Sequence, residues 1–273
     1  KEPPQAMSQE KKRVLFVSSE MSPFLETSPL ATVARMLPQA LQEQENEIRI
    51  LVPRFGVINE RRNRLHEVVR LSGINISIDD NDNPLIIKVA SIPQTKMQVY
   101  FLDNEDYFHR KYVFRDEAGK LFDDNDERTI FFCKGVMETV KKLGWAPDII
   151  HCQGWMTSLI PMYLKTIYKD EPVFKNTKVV YSVYSDEDSI NLGADFARKA
   201  SLNSLDDNCM ECFSDGSVNS MNIGAVIHSD AVVTNCEEGH RVVEAHIADK
   251  IVMRHSDEDA GTQYGTLYEQ LLA

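Results

Sequence analysis

Two carboxylates and one histidine are the side chains of this sequence best suited to acid–base chemistry. Glu20 and Glu26 lie in one predicted loop, and a pair of carboxylates can hydrolyse a glycosidic bond as general acid and base. We favour a solvated loop over a hydrolase site, because the sequence does not fix the separation of the two groups. His151 closes a predicted strand and is expected to face a crevice, where it could bind a ligand. A hydrogen-bonded structural histidine is the interpretation that we favour.

The cysteines give little support for a metal or cofactor site. Cys209 and Cys212 form a C-x-x-C pair, but zinc sites of this kind need further ligands. Only His228 or Cys236 could complete such a set, because no second C-x-x-C exists. The sequence also contains no G-x-G-x-x-G or Walker pattern for a dinucleotide or a triphosphate. We therefore predict no metal, no cofactor and reduced thiols.

Composition excludes several classes of partner. The formal net charge is −12, which repels nucleic acid and anionic membranes. No apolar run reaches the roughly 18 residues of a membrane-spanning helix, and the polar residues 1–12 lack the apolar core of a signal peptide. We expect a cytoplasmic protein that binds neither nucleic acid nor membrane. Residues 1–10 are expected to be a disordered tail or a remnant that is not native.

Hydrophobic periodicity predicts alternating strands and helices. The apolar run Arg13–Ser19, the helical repeat Leu30–Glu43 and the run Glu47–Val52 form one βαβ unit, which implies a parallel sheet. An antiparallel meander is predicted at one edge, with strands Val68–Ile78, Leu85–Ser91 and Met97–Leu102 and a turn at Asp79–Pro84. The remaining predicted strands are Asp148–Cys152, Lys178–Tyr184 and Asp230–Thr234, and the remaining helices are Glu127–Leu143, Met156–Tyr168, Val218–His228 and Glu237–Ile247.

This order predicts an α/β fold with a doubly wound, mostly parallel sheet over residues 11–248. Residues 249–273 are predicted to be a polar linker and a helix at Tyr264–Leu272. The apolar face of that helix could pack on its own domain or on another subunit. Ligands of such sheets bind at the carboxyl ends of the strands. The loops of interest therefore follow Ser19, Cys152, Tyr184 and Thr234.

Those loops carry the motifs of a known family. Arg13–Leu41 (RVLFVSSEMSPFLETSPLATVARMLPQAL) resembles the opening strand, loop and helix of ADP-glucose-type bacterial glycogen and starch synthases, whose loop reads K-T-G-G-L-x-D-V. Leu143–Trp155 (LGWAPDIIHCQGW) resembles the family run that ends H-x-H-D-W. Val52–Phe55, Tyr100–Tyr107 and Asn222–Glu237 are similar to further family segments, in the same order. The resemblance implies the N-terminal, Rossmann-like half of a GT-B glycosyltransferase fold, in which a second domain supplies most of the nucleotide site.

The residues that the family uses on the donor phosphates are replaced. Glu26 stands where a family lysine faces the phosphates, and a carboxylate there repels a diphosphate. Ser28 and Pro29 stand in place of two glycines whose backbone N–H groups approach a phosphate closely. The other departures are Thr32 at an acidic position, Gln153 and Gly154 for the second His and the Asp, and Tyr184-Ser185 for a His-Asn turn.

The resemblance therefore implies a domain linked to glucan metabolism that is inactive by itself and acts in binding, regulation or assembly. The crevice positions carried over from the family, with no catalytic role assigned, are Ser19, Glu20, Glu26, Thr27, Ser28, His151, Gln153, Trp155 and Tyr184. A sugar or glucan would be the ligand, and a protein partner or second copy would cover the exposed half-cleft.

Two alternatives stay open. One is a subunit of a split ADP-glucose glucosyltransferase, a hexosyltransferase that another chain completes. The other is a small-molecule enzyme that uses His151 and Glu20 in a reshaped crevice.

Overall fold

The computed structural model describes residues 11–185, 189–201 and 210–273. The strands are β1 (Arg13–Ser18), β2 (Glu47–Pro53), β3 (His66–Glu67), β4 (Ile74–Ile78), β5 (Asn81–Ser91), β6 (Gln98–Asp103), β7 (Ile149–Gln153), β8 (Lys178–Val183), β9 (Ala231–Thr234) and β10 (Ile251–Arg254). The α-helices are α1 (Pro29–Glu43), α2 (Glu105–Phe108), α3 (Asn125–Leu143), α4 (Ile160–Lys165), α5 (Phe196–Ala200), α6 (Val218–His228), α7 (Glu237–Val243) and α8 (Ala260–Leu272). No helix within these ranges is both long and apolar enough to cross a bilayer.

The strands form a doubly wound sheet in the order β10-β9-β8-β7-β1-β2-β6-β5-β3, and β4 pairs with β5. Neighbours from β10 to β6 run parallel, and β5 is antiparallel to each of its partners. The predicted fold, a mostly parallel sheet with an antiparallel edge, is confirmed. The chain leaves β1 through β2 and β6 and then returns to β7 on the other side of β1. This reversal between β1 and β7 is the point at which doubly wound sheets bind ligands.

The central strands are buried on both faces, as continuous apolar runs of a parallel sheet require. In β1, the residues from Val14 to Val17 have an exposed fraction of 1% or less. Helix α1 contributes Leu30, Leu37 and Leu41 to the same core and continues through Pro38. Helix α3 ends where predicted, because Gly144 adopts a left-handed conformation with φ 63°.

The predicted meander differs from the structure in two places. The run Val68–Ile78 is not one strand: a 3-10 turn at Val69–Leu71 and Gly73, with φ 95°, separate β3 from β4. The turn predicted over Asp79–Pro84 is confined to Asp79 and Asp80, whose φ angles are 50° and 63°. A two-residue hairpin turn with both φ angles positive matches the twist of the strands that it joins, so β5 already begins at Asn81.

The helix predicted over Met156–Tyr168 is also interrupted. A 3-10 turn covers Trp155–Thr157, and α4 begins only at Ile160. Pro161 lies in the first turn of α4, where its missing N–H is tolerated; inside a longer helix it would remove a hydrogen bond.

The segment 249–273, predicted as a polar linker and a helix, contains a strand. β10 extends the sheet beside β9. It is a short edge strand with Val252 and Arg254 exposed, so it lacks the apolar run of a buried strand. Helix α8 packs on α1 and buries Tyr264, Leu267, Tyr268 and Leu271. This face is therefore used within its own domain and is not free for another subunit.

Candidate functional site

A cleft of about 470 Å³ opens at the carboxyl ends of the parallel strands. Loops after β1, β2, β7, β8, β9 and β10 contribute to it, together with residues between α2 and α3. Of the predicted site residues, those that line the cleft are Ser19, Glu20, Thr27, Ser28, Trp155 and Tyr184. Glu26, His151 and Gln153 do not line it.

Glu20 is buried at the end of the cleft beside α1 and is bound by its own loop. Its carboxylate accepts hydrogen bonds from the Thr27 backbone N–H at 2.7 Å, from Thr27 Oγ1 at 2.5 Å and from Ser28 Oγ. The side chain of Glu26 points elsewhere: this residue is exposed. The structure therefore does not bring Glu20 and Glu26 together in the cleft as an acid–base pair.

This carboxylate is hydrogen-bonded to the two residues that lead into α1. Ser28 is the N-cap residue, but its hydroxyl donates to Glu20 instead of capping the helix. Pro29 follows at the first turn and has no N–H. Helix N-termini attract anions through free N–H groups and the positive end of the helix dipole. Here Thr27 and Ser28, which lead into α1, already donate to the internal anion Glu20, so a phosphate beside them would meet a carboxylate.

The turn after β7 has a conformation that only glycine adopts readily. Gly154 has φ 86°, and a Cβ added there would lie 3.0 Å from the side chain of Leu30. The aspartate that the family resemblance would place here does not suit this backbone. Gly154 is therefore a change in the shape of the turn as well as the loss of a carboxylate.

One wall of the cleft is aromatic. The rings of Phe114 and Trp155 lie 4.9 Å apart, and Phe55 meets Phe114 edge to face at 5.3 Å. Arg128 of α3 packs against this aromatic wall, and its Nη1 donates a hydrogen bond to the Val113 carbonyl at 2.6 Å. Its guanidinium lies 5.4 Å from the Phe55 ring.

The far wall is polar. Tyr184, Asn235, His255 and Asp257 line it, and Asn235 Nδ2 donates to the Tyr184 hydroxyl at 3.1 Å. Burial raises the pKa of Tyr184 well above its ordinary value, so its hydroxyl stays protonated. Glu20 and Asp257 are the acidic residues of the lining, and no lysine or arginine is found among the described residues of the cleft. Nor does any group of three His, Cys, Asp or Glu side chains in those ranges form an arrangement that could hold a metal ion. The proposed Cys209–Cys212 pair falls partly outside the described residues.

His151 is not at the cleft, in contrast to the expectation. It lies within β7 beneath α8 and is completely buried. Its ring nitrogens bond to the Tyr268 hydroxyl at 2.6 Å and to Ser182 Oγ at 2.7 Å. Burial lowers the pKa of His151 to about 3, so the ring is neutral at physiological pH. The structural interpretation of this histidine is the one that its surroundings support.

Gln153 is also buried away from the cleft, with an exposed fraction of 1%. Neither its amide oxygen nor its amide nitrogen has a hydrogen-bond partner among the described residues.

Sequence reasoning missed several residues that line the cleft: Phe55, Val113, Phe114, Asn235, His255 and Asp257. Asn235 directly follows β9. The expectation that ligands bind at the carboxyl ends of the strands therefore identified its loop but not the residue itself. His255 and Asp257 follow β10 and could have been found only by recognising that short strand.

A comparison with protein-family models identifies the family of the chain. Residues 13–241 match the model described as the starch synthase catalytic domain. The chain belongs to the starch synthase catalytic domain family. The glycogen synthase of Chlorobium luteolum is 47% identical over 180 residues, which cover 66% of this chain and 37% of that protein. The glycogen synthase of Chlorobaculum tepidum is 41% identical over 228 residues, which cover 82% of this chain and 46% of that protein.

These matches leave a large part of each relative uncovered. The chain spans less than half the length of the two curated relatives. Among solved structures, the catalytic domain of starch synthase IV from Arabidopsis thaliana, bound to ADP and acarbose, has a TM-score of 0.71 at 19% identity. The similarity covers 90% of this chain and 52% of that one, and it establishes the shared GT-B type of fold.

Proposed function

We propose that this domain binds a neutral glucan chain or oligosaccharide in the cleft and does not by itself transfer glucose from a sugar nucleotide. Its role would then be binding, regulation or assembly in glucan metabolism. The observation that carries this proposal is the state of the α1 N-terminus. The buried carboxylate of Glu20 already accepts the hydrogen bonds of Thr27 and Ser28, which lead into this helix, and the described lining of the cleft offers no lysine or arginine.

Charge is the reason why this cleft suits a neutral ligand. Transfer from a sugar nucleotide needs stabilisation of the negative charge that develops on the departing phosphate. Two like charges about 4 Å apart repel each other by about 4 kcal/mol at an effective dielectric constant of about 20. Glu20 and Asp257 would impose that sign of interaction on a diphosphate, and no lysine or arginine of the described lining offsets it.

The cleft has the features of a sugar site in other respects. Binding sites for small molecules combine apolar and aromatic walls with a few well-placed polar groups. Phe114 and Trp155, whose ring planes are inclined at 50°, form an apolar wall, and Tyr184, Asn235 and Asp257 supply hydroxyl, amide and carboxylate groups. A neutral chain of hexoses matches both features of the cleft. The C–H faces of its rings are apolar, and the hydroxyl groups at the ring edges are polar.

The family to which the chain belongs supports the proposal that the sugar is a glucan. The relatives that match over most of this chain are named glycogen synthases. A member of this family that has an aromatic wall in its cleft but no lysine or arginine in the described lining is suited to hold the glucan while contributing nothing to donor activation.

The experiment is a fluorescence titration with maltoheptaose. The chain has two tryptophans, and Trp145 packs beside Arg49 and Glu47, away from the cleft residues. In the Trp145→Phe variant, Trp155 alone should report saturable binding of maltoheptaose. Measured by calorimetry, because the variant lacks the fluorescent reporter, Trp155→Ala should weaken binding at least about tenfold, since it removes a central aromatic contact.

The control is Trp145→Phe itself, whose affinity measured by calorimetry should equal that of the unmodified chain. Lack of any saturable response to maltoheptaose would refute the proposal. Tight binding of ADP-glucose to the same cleft would instead favour the split glucosyltransferase.

A further inference from the structure

We propose that the C-terminal segment 251–272 completes the sugar cleft. In this proposal Asp257 accepts hydrogen bonds from ligand hydroxyl groups, and His255 and Tyr264 position it. The proposal rests on the proposed function, because it names a residue set that recognises the same neutral sugar. The family match ends at residue 241, so these residues add to the cleft from outside the matched region.

Strand β10 brings the segment to the cleft. It runs parallel to β9, with Arg254 opposite Thr234. Its carboxyl end therefore lies at the same edge of the sheet as those of the other parallel strands. The residues that follow, His255 and Asp257, line the cleft together with Tyr184 and Asn235.

A hydrogen-bonded chain holds Asp257 in place. Its Oδ1 lies 2.8 Å from His255 Nε2, and His255 Nδ1 lies 2.7 Å from the Tyr264 hydroxyl. Both ring nitrogens of His255 are thus engaged, and its side chain is only 9% exposed. Asp257 lines the cleft and is 87% exposed, so its other carboxylate oxygen and remaining lone pairs are accessible.

The inner end of this chain is anchored in the core. Tyr264 is completely buried, and its ring stacks on that of His151 at 5.7 Å with an interplanar angle of 27°. An acceptor fixed in this way loses little conformational freedom when a ligand binds. A carboxylate on an otherwise unsupported loop would lose more.

The ligand chemistry follows from the acceptor. A carboxylate accepts hydrogen bonds and donates none, so it suits the hydroxyl groups of a sugar. Placed in the same cleft as Glu20, it disfavours phosphate, sulfate and carboxylate groups. The ligand class is a neutral carbohydrate.

Asp257→Asn and Glu258→Gln form the matched pair for the test. Each removes one negative charge from the same exposed turn, but Glu258 does not line the cleft. Calorimetry with maltoheptaose should give about tenfold weaker binding for Asp257→Asn, the usual loss when a charge-assisted hydrogen bond is weakened. Glu258→Gln should bind as the unmodified chain does.

Positioning is tested by a second comparison. Tyr264→Phe should weaken maltoheptaose binding several-fold in the unmodified background and should have no further effect once Asp257→Asn is present. Tyr268→Phe removes a hydroxyl of the same helix that is bonded to His151 and not to His255. This change should leave the affinity for maltoheptaose unchanged. His255→Gln, whose amide can still donate to Asp257, should retain more affinity than His255→Leu.

The outcomes separate this inference from the proposed function. Equal affinities for Asp257→Asn and the unmodified chain, with the loss in Trp155→Ala still present, would overturn this inference alone. Equal losses in Asp257→Asn and Glu258→Gln would also overturn it, as a general effect of charge. Failure of the unmodified chain to bind maltoheptaose would overturn both.

Discussion

The cleft is lined by two carboxylates, Glu20 and Asp257, and the protein holds them in opposite ways. Glu20 is buried, and its oxygens accept three hydrogen bonds from Thr27 and Ser28. Asp257 is exposed and is bound through one oxygen, by His255. A carboxylate that its own chain has saturated serves the fold, whereas one with free acceptor sites can serve a ligand.

The two histidines of this region show the same contrast. His151 is enclosed between β8 and α8 with both nitrogens bonded inside the core. His255 also has both nitrogens bonded, but one of its partners is the exposed Asp257. Position relative to the cleft, rather than residue type, therefore decides which polar group can act on a ligand.

The largest effect is expected from Glu20→Gln. This change removes the charge from a buried group with three donors and leaves the amide nitrogen facing at least one of them. We expect the free energy of unfolding to fall by about 3 kcal/mol, because hydrogen bonds to a charged acceptor contribute about 1.5–3 kcal/mol each. Urea unfolding measures the loss. Glu26→Gln, at an exposed site in the same loop, should change the free energy of unfolding by less than about 0.5 kcal/mol. Similar losses in the two variants would contradict the structural role assigned to Glu20.

Acid should weaken the fold through His151. Burial lowers the pKa of His151 to about 3, below the ordinary value of 6.5. Below pH 6.5 the unfolded chain therefore takes up a proton that the folded chain does not. Stability should fall with pH from 6.5 towards 3, by up to about 1.4 kcal/mol per pH unit from this group.

The measurement compares urea unfolding at pH 7 and pH 5. The stability difference between the two pH values should be about 2 kcal/mol smaller in His151→Gln than in the unmodified chain. The exposed His66→Gln should keep the full difference. An unchanged difference in His151→Gln would mean that this ring is protonated in the fold.

A smaller effect is expected from Tyr268→Phe. It leaves one nitrogen of the buried His151 without a partner, which should cost about 1–2 kcal/mol. Thermal unfolding followed by circular dichroism measures the loss. A variant as stable as the unmodified chain would show that His151 finds another partner, and the contrast between the two histidines would be weaker.

The smallest effect on stability is expected from Asp257→Asn. The exposed carboxylate is hydrogen-bonded to His255, and even a charged pair at such an exposed position contributes only about 0–1 kcal/mol. We therefore expect the free energy of unfolding to change by less than about 0.5 kcal/mol, although sugar binding should weaken about tenfold. A loss of stability as large as that of Glu20→Gln would make Asp257 a structural residue.

Most of the fold could be predicted from the sequence because buried parallel strands are continuous apolar runs. The loops that line the cleft could be predicted from the ends of those apolar runs. They contain the lining residues Glu20, Thr27, Ser28, Trp155 and Tyr184. His151 was misplaced because periodicity along β7 cannot reveal that α8, which is distant in sequence, covers that face. Asp257 was missed because β10 is an edge strand with alternating exposure and only four residues.

The most direct test of the binding proposal is calorimetric titration of the unmodified chain with maltoheptaose and, separately, with ADP-glucose. Saturable heat with maltoheptaose and none with ADP-glucose is the expected result, since the residues that lead into α1 are bonded to the carboxylate of Glu20 and the described lining lacks a basic side chain other than His255. Saturable binding of ADP-glucose, or no binding of maltoheptaose, would contradict it.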